Sequence, residues 1–320
     1  MVRCGGFTAV ELLAVLGILV LLLSIFIPYL LALRETNHRT TCADRLRQIR
    51  NALQTYADQN DENLPRVRYD EANNPVGYAA FTGPNSPDPF APDSAVQPND
   101  VTASLWLLVR GGIIQDTGLF VCPSTSDRAD RIADRAGRKV NANQRGNFRS
   151  PANLSYSYAS PFSNAPGYRL NSDWLKPDFA LLADRNPAAR GGETAPRWDA
   201  TSLELSSVNS TNHGRAGQNV VYADGSVRFE TTPYCGVGRP AGAGGDNIYT
   251  ARARVPATQA SDLPFDVSGF VGNAIGPAAS DDSYLVPVQG ETTTAPLPAT
   301  RPTTAPSTEP ATTPSTTSGA

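Results

Sequence analysis

The first feature of the chain is a long run of apolar positions near its start, where residues 12–33 carry no charged side chain. A helix needs about 20 apolar residues to cross the hydrocarbon core of a membrane, so the run predicts one membrane-spanning helix. Arg3 precedes the run and Arg34 follows it, which gives little information on orientation. A cleaved secretory signal peptide and a plain membrane anchor are the alternatives. The run exceeds the roughly 7 to 15 apolar residues of a signal peptide, and no A-x-A-like site follows it.

A second pattern begins beyond Arg34. Apolar positions recur there at alternating spacings of four and three, at Cys42, Leu46, Ile49, Leu53 and Tyr56. This periodicity predicts an amphipathic helix over residues 34–60 whose apolar stripe lies against a globular head. The Asn- and Asp-rich stretch that follows, with Leu64 before Pro65, ends it. A helix from Phe7 to about Asn60 would measure roughly 80 Å, so we expect a protruding stalk.

Residues 61–288 are rich in Pro, Asn and Gly and predict a head made mainly of short strands. The segment ASLWLLVRGG is a short helix candidate closed by Gly111 and Gly112. Strand candidates are Leu119 to Cys122, Leu154 to Ala159 and Asp178 to Asp184, each bounded by turn-forming residues.

The segment QNVVYADGSVRFE is the strongest local signal in the head. Asp224 and Gly225 fit the two central positions of a type I′ hairpin turn between two apolar strands. That turn would place four apolar side chains on one face, Val220, Tyr222, Val227 and Phe229. Such a face suits a sheet that lies on a helix. The predicted fold class is α+β, with a long N-terminal helix packed on a small antiparallel sheet.

Composition adds two expectations. The chain has 27 Lys and Arg against 30 Asp and Glu, a net charge of −3, so no basic excess indicates nucleic-acid binding. Residues 289–320 are rich in Thr, Pro and Ala and hold few residues able to form a core. We expect them to be a disordered tail.

The acid at the start of the apolar run, Glu11, belongs to a recognisable motif. The order Gly6-Phe7-Thr8-Ala9-Val10-Glu11 resembles the prepilin signature of the type IV pilin family, which includes the pseudopilins of type II secretion. The resemblance implies a leader at residues 1–6, cleavage by prepilin peptidase between Gly6 and Phe7, and methylation of the new amino group of Phe7. Residues 7–33 would then be the transmembrane and assembly helix. Glu11 would pair with the N-terminus of a neighbouring subunit, which repays the cost of burying each charge. Pro28 matches a helix-loosening proline of many pilins.

A second resemblance lies near the C-terminal end of the head. A large bacterial group of pilin-like proteins has a His nine residues before Asp-Gly, whereas ten residues, 214–223, separate His213 from Asp224 and Gly225 here. Phe120 to Ser124 and Cys42 to Pro65 resemble other parts of that group.

Together these resemblances imply a structural subunit without catalytic activity, in a type IV pilus or type II secretion pseudopilus. Its partners would be prepilin peptidase, other pilin-like subunits, inner-membrane lipid and the assembly machinery. The protein would be a single-pass protein of the bacterial inner membrane with its head in the periplasm, or part of a filament. An anchored binding protein that does not polymerise and an anchored hydrolase are the alternatives.

The hydrolase alternative would use His213 as base, Asp224 to orient it and Ser155 or Ser157 as nucleophile. No G-x-S-x-G segment supports it. The structural interpretation is that His213 fixes the loop entering the hairpin and that Asp224 is a turn residue.

Four cysteines, Cys4, Cys42, Cys122 and Cys235, form no C-x-x-C pair. In an oxidising space a bridge is expected, and Cys42 with Cys122 is the favoured pair, which leaves Cys235 free. We expect no cofactor and no metal.

Two metal alternatives stay open. Calcium could bind the oxygen-rich Asp58, Asn60, Asp61 and Asn63, although these lack the EF-hand pattern. Zinc could use Cys122, Cys235 and His213. The glycine-rich run at residues 236–245 is interpreted as a surface loop rather than a phosphate-binding loop.

Overall fold

The computed structural model describes residues 8–70, 78–187, 200–238, 245–251 and 276–287. The expected cleavage pair Gly6 and Phe7, the predicted tail at 289–320 and residues 239–244 of the glycine-rich run lie outside the described residues.

One helix, α1 (Ala9–Asp58), makes up the whole N-terminal part of the described chain. Thr8 caps it, because its hydroxyl accepts from the Glu11 amide while the Glu11 carboxylate accepts from the Thr8 amide at 2.9 Å. Pro28 lies inside the helix without ending it. At 1.5 Å per residue the 50 residues span about 75 Å, which confirms the predicted long helix.

The two halves of α1 have different surroundings. Residues 8–34 are all exposed, including the whole uncharged run. The buried side chains all lie in the second half, at Cys42, Leu46, Ile49, Ala52, Leu53 and Ala57. The periodic stripe is therefore confirmed, with Tyr56 at its partly buried margin. The first half is long and apolar enough to cross a membrane, a test that a signal sequence also passes.

The head packs a five-stranded antiparallel sheet against the second half of α1. Its strands are β1 (Tyr156–Ala159), β2 (Ala180–Asp184), β3 (Gln218–Tyr222), β4 (Val227–Glu230) and β5 (Leu285–Val286), in the spatial order β4-β3-β2-β1-β5. The described part of the head also contains the α-helices α2 (Val101–Arg110) and the short α3 (Ser202–Ser207). The α+β class is thus confirmed.

Helix α2 is the helix expected in ASLWLLVRGG. The Asp100 side chain caps its start by accepting from the Ala103 amide, and Gly111 caps its end. Nine of its ten residues are buried, and Trp106 packs edge-on against Phe148 at 4.9 Å between ring centroids. It therefore forms a central part of the core.

The predicted strand at Leu119 to Cys122 is wrong. Thr117–Phe120 form a 3₁₀ turn, because the Asp116 side chain accepts from the Gly118 amide and starts a turn that the apolar residues follow. The chain becomes extended only at Val121.

The hairpin is present, but its predicted register is wrong by one residue. The pairs are Asn219 with Phe229 and Val221 with Val227, so Val220 and Tyr222 lie on the opposite face from Val227 and Phe229.

The cause is the turn between β3 and β4. The Gly225 amide donates to the Tyr222 carbonyl at 2.9 Å, and Gly225 takes a left-handed conformation with φ of 86°. The turn is thus a three-residue loop ending in a bulge, stabilised by an Asp224 carboxylate that accepts from the Ser226 amide at 2.8 Å.

Candidate functional site

The chemically richest region of the described chain lies where α1 meets the head, beginning two residues beyond the uncharged run. We call it the junction cluster, and its members are Glu35, Cys42, Cys122, Ser124, Asp184 and His213. The first two project from α1, the next two follow the 3₁₀ turn at Thr117–Phe120, Asp184 ends β2, and His213 ends a second 3₁₀ turn at Thr211–His213.

Local sequence fixes the position of His213. The Ser210 hydroxyl caps the turn that contains it by accepting from the Asn212 amide, and Gly214 ends that turn in a left-handed conformation with φ of 63°. The Asn212 side chain then donates to the Ser155 carbonyl at 2.7 Å and to Asp184 Oδ1 at 3.0 Å. The turn is therefore tied to the end of the sheet, and the imidazole points toward α1.

His213 bridges two carboxylates from opposite sides. Its Nδ1 lies 2.7 Å from Glu35 Oε1, and its Nε2 lies 3.2 Å from Asp184 Oδ2. The His213 and Asp184 side chains are fully buried, whereas Glu35 is 34% exposed. Phe229 packs edge-on against the imidazole at 6.0 Å. The result is a link between α1 and the head that runs from the surface to the interior.

The pKa values of Glu35 and His213 are both shifted by their surroundings. Burial alone would lower the pKa of His213, but hydrogen bonding and charge from Asp184 and Glu35 raise it above its ordinary 6.5. Partial burial alone would raise the pKa of Glu35, but the hydrogen bonds from His213 and Ser124 lower it below 4.5. Both shifts favour an imidazolium held between two carboxylates.

The same cluster holds a disulfide. Cys42 and Cys122 are joined with their Cα atoms 5.5 Å apart, and this is the pair that the sequence analysis favoured. Cys122 Sγ lies 3.7 Å from His213 Nε2. Cys235 is a free, partly exposed cysteine. Potential metal ligands from Cys42, Cys122, Asp184 and His213 all lie within 4.8 Å of one another.

The structure separates His213 from Asp224. The five residues of β3 lie between them, a length of about 16 Å, and Asp224 serves the hairpin turn. The Ser155 hydroxyl donates to Asp127 at 2.7 Å, and that of Ser157 donates to the Pro287 carbonyl at 2.8 Å. Asp224, Ser155 and Ser157 thus have other hydrogen-bond partners than His213.

A different serine does approach His213. Ser124 Oγ lies 3.2 Å from Nδ1, so Ser124, His213 and Asp184 line up in the order of a nucleophilic triad. However, Glu35 Oε1 is closer to that nitrogen, and the Ser124 hydroxyl donates to Glu35 Oε2 at 3.0 Å. Since the imidazole nitrogen and the serine proton both face Glu35, this geometry favours a structural link over an activated nucleophile.

The oxygen-rich segment after α1 forms a turn. The side-chain amide of Asn60 donates to the Tyr56 carbonyl at 2.7 Å, and that of Asn63 donates to the carbonyls of Asn60 and Asp61. Gln54 donates to the Asp58 carboxylate at 2.9 Å. The Asn60 and Asn63 side chains therefore help to end the helix, while the Gln54 contact lies within its last turns.

Sequence reasoning found Cys42, Cys122 and His213 but missed Glu35, Ser124 and Asp184. Glu35 is the first acid after the uncharged run, and Asp184 is an acid at the end of an apolar strand. Both are unusual enough to be singled out, although neither position alone predicts its partner.

Comparisons of this chain with protein-family models, curated proteins and solved structures found no match.

Proposed function

We propose that this protein is a pilin-like structural subunit, cleaved by prepilin peptidase after Gly6 and assembled through α1 into a type IV pilus or a type II secretion pseudopilus. The division of α1 is the observation that carries the proposal. Its first half exposes a largely apolar surface that is uncharged over residues 12–33, while its second half is fastened to the head.

The exposed half needs an apolar environment. Large apolar side chains from Val10 to Leu33 are more than 40% exposed, which is unfavourable in water. Membrane lipid and the helices of neighbouring subunits are both apolar, so the segment exchanges one for the other with little hydrophobic gain or loss. Packing and charge must then determine how subunits align.

Glu11 is the charge proposed to do this. In the single chain its carboxylate accepts from the Thr8 amide and hydroxyl, both at 2.9 Å, and so caps its own helix. In an assembly we propose that the carboxylate pairs with the methylated amino group of Phe7 in a neighbouring subunit. An ion pair within an apolar environment is formed only in the correct register, because a misplaced charge stays unpaired. Pro28 would loosen the helix during packing, because it lacks the amide that would bond to the Ser24 carbonyl.

The proposed location is the bacterial inner membrane, with a single span, the head in the periplasm and the assembly machinery as partner. A disulfide in the head fits an oxidising compartment. An anchored binding protein that never polymerises would use the same helix, and it is an outcome of the test below.

The test uses two variants of Glu11 that separate capping from charge. Glu11→Gln preserves a side chain that can complete the capping box, whereas Glu11→Ala removes it. Protein from native membranes is examined by intact mass and N-terminal peptide analysis, and sheared filaments are assayed for the subunit. We expect every form to begin at methylated Phe7 and both variants to be absent from filaments.

Other outcomes argue against the proposal. A chain that begins at Met1 would indicate a plain anchor, and cleavage after Ala32 would indicate a secreted protein. If Glu11→Gln assembles as well as the unaltered chain while Glu11→Ala does not, capping rather than charge is what assembly needs.

A further inference from the structure

We propose that reduction of the Cys42–Cys122 disulfide converts the junction cluster into a four-ligand site for Zn²⁺. The ligands would be the two cysteine sulfurs, His213 Nε2 and the Asp184 carboxylate. This inference is independent of the proposed function.

The distances suit such a site. A tetrahedral Zn²⁺ with bonds of about 2.0 to 2.3 Å holds its ligand atoms roughly 3.3 to 3.8 Å apart. Cys122 Sγ and His213 Nε2 are already 3.7 Å apart, and His213 Nε2 and Asp184 Oδ2 are 3.2 Å apart. All four ligand atoms lie within 4.8 Å of one another. The two sulfurs must separate, and they can do so once the covalent bond between them is broken.

The groups around the ligands are already arranged to hold them. Glu35 Oε1 lies 2.7 Å from His213 Nδ1, so this nitrogen donates to a carboxylate and directs Nε2 toward the sulfurs. Metal-binding histidines are commonly oriented in this way. Asp184 is fixed by the Asn219 amide at 2.7 Å and by the Asn212 side chain at 3.0 Å. All four proposed ligands are buried.

The donor set indicates the kind of metal. Two thiolates, one imidazole and one carboxylate in a tetrahedral arrangement favour Zn²⁺ over Mg²⁺ or Ca²⁺, which prefer oxygen ligands in larger numbers. The two thiolates and Asp184 bring three negative charges into a buried position, and a dication compensates two of them. Glu35, which contacts His213, is 34% exposed, so the cluster lies close to the protein surface on that side.

The oxidation state of the two cysteines controls whether the metal can bind. In the oxidised chain the sulfurs carry no thiolate charge. A trialkylphosphine reduces the bond: phosphorus takes the oxygen of one water molecule to give the phosphine oxide, the S–S bond breaks, and the two hydrogens of water give two thiols. Zn²⁺ then displaces one proton from each thiol, together with the proton on His213 Nε2. Oxidation by a disulfide of another molecule re-forms the bond and releases the metal.

The test is metal titration of the full-length chain in detergent micelles, with Co²⁺ as a spectroscopic probe and Zn²⁺ as competitor. A background with Cys4→Ser and Cys235→Ser leaves Cys42 and Cys122 as the thiols under test. After reduction with the phosphine we expect one Co²⁺ per chain, with sulfur-to-cobalt charge-transfer absorption and tetrahedral d–d bands that Zn²⁺ abolishes. The oxidised chain should show neither band.

Variants identify the ligands. In that background we expect Cys42→Ser and Cys122→Ser to abolish the charge-transfer band, and His213→Gln and Asp184→Asn to weaken binding while both sulfurs remain. Glu35→Gln, which changes only a supporting group, should weaken binding about 10- to 100-fold and leave the band positions unchanged.

Three outcomes would overturn the proposal: a reduced chain that takes up no more Co²⁺ than Cys42→Ser, equal uptake by the oxidised chain, or unchanged affinity in both His213→Gln and Asp184→Asn. A near-ultraviolet circular dichroism spectrum of each variant shows that its head is folded, so that loss of binding is not loss of structure.

Discussion

Removing the bond between Cys42 and Cys122 should strongly destabilise the head. The bond closes a loop across 80 residues, from the second half of α1 to the segment that leads toward β1. In the chain-entropy account the loss of loop-closure entropy for 80 residues is about 15 cal/mol/K, which corresponds to about 4.5 kcal/mol at 25 °C. This is a large share of the 5 to 15 kcal/mol that stabilises a typical domain.

The assay is thermal unfolding of the full-length chain in micelles, comparing the disulfide-bonded form with the double variant Cys42→Ala and Cys122→Ala. A chelator is present so that no metal contributes. Trp106 is fully buried in the head, and its near-ultraviolet circular dichroism signal reports the head separately from α1. For a head of this size 1 kcal/mol shifts Tm by about 2 to 4 °C, so we expect a drop of roughly 9 to 18 °C.

The control variant is Cys235→Ala, which removes a cysteine outside the bridge and should not cause the large fall in Tm. A fall in Tm of less than about 3 °C in the double variant would refute the reasoning, because it would mean that the two segments stay close together in the unfolded chain or that the bond does not form.

Three further perturbations probe the contacts around the disulfide. Glu35→Gln leaves the His213 imidazole with a neutral partner, and because Glu35 is partly exposed we expect a loss of about 1 kcal/mol in denaturant unfolding. The pKa of His213 is raised, so its contribution to the free energy of unfolding is full below about pH 6.5 and is lost as the pH rises through the raised value. The pKa of Glu35 is lowered, so its contribution is full above about pH 4.5 and is lost as the pH falls through the lowered value. The free energy of unfolding lost in Glu35→Gln, relative to the unaltered chain in its oxidised, metal-free form, should therefore be greatest between about pH 4.5 and 6.5. A loss that does not change with pH would argue against the ion pair. Gly225→Ala puts a side chain on a left-handed residue, with φ of 86°, and should cost about 1 to 2 kcal/mol, whereas no loss would show that the turn can change type. Phe229→Leu removes the ring that the Arg39 guanidinium covers at 4.4 Å, and we expect a coupling of about 0.5 to 1 kcal/mol between the two residues in a double-mutant cycle.

The sequence predicts those parts of the fold whose physical cause is local. The stripe through Cys42 and Leu53 follows from a 3.6-residue period, and α2 follows from a compact apolar segment that ends in glycine. Two of the three isolated strand candidates contain β1 and β2, because runs of apolar residues between turn formers are typical of buried strands.

The hairpin register could not be predicted from local signals. An Asp-Gly pair fits a two-residue loop and a three-residue loop equally well, and the two choices differ by one residue in pairing. In the structure, the longer loop places Asn219 rather than Val220 opposite Phe229, and it is Asn219 that reaches Asp184 and His213. The position of Asn219 is thus stabilised by contacts with residues outside the hairpin, which the hairpin sequence alone does not reveal.

The junction cluster depends on contacts across the whole chain. Glu35 and His213 are 178 positions apart, and Cys42 and Cys122 are 80 apart. No periodicity relates such positions. The sequence shows the chemical type of each residue, but which of these residues come together in space depends on the order of the strands in the sheet.

The position of the cluster along α1 explains how one helix can belong to two environments. The described contacts of the helix with the head begin at Glu35, two residues beyond the end of the uncharged run at Leu33. The disulfide at Cys42 lies about 14 Å beyond Leu33 along the axis, at 1.5 Å per residue. Because the ion pair and the covalent bond hold the head within about two and a half turns of this boundary, the head is attached firmly without covering the apolar half. The apolar half therefore stays exposed and available to lipid or to other helices.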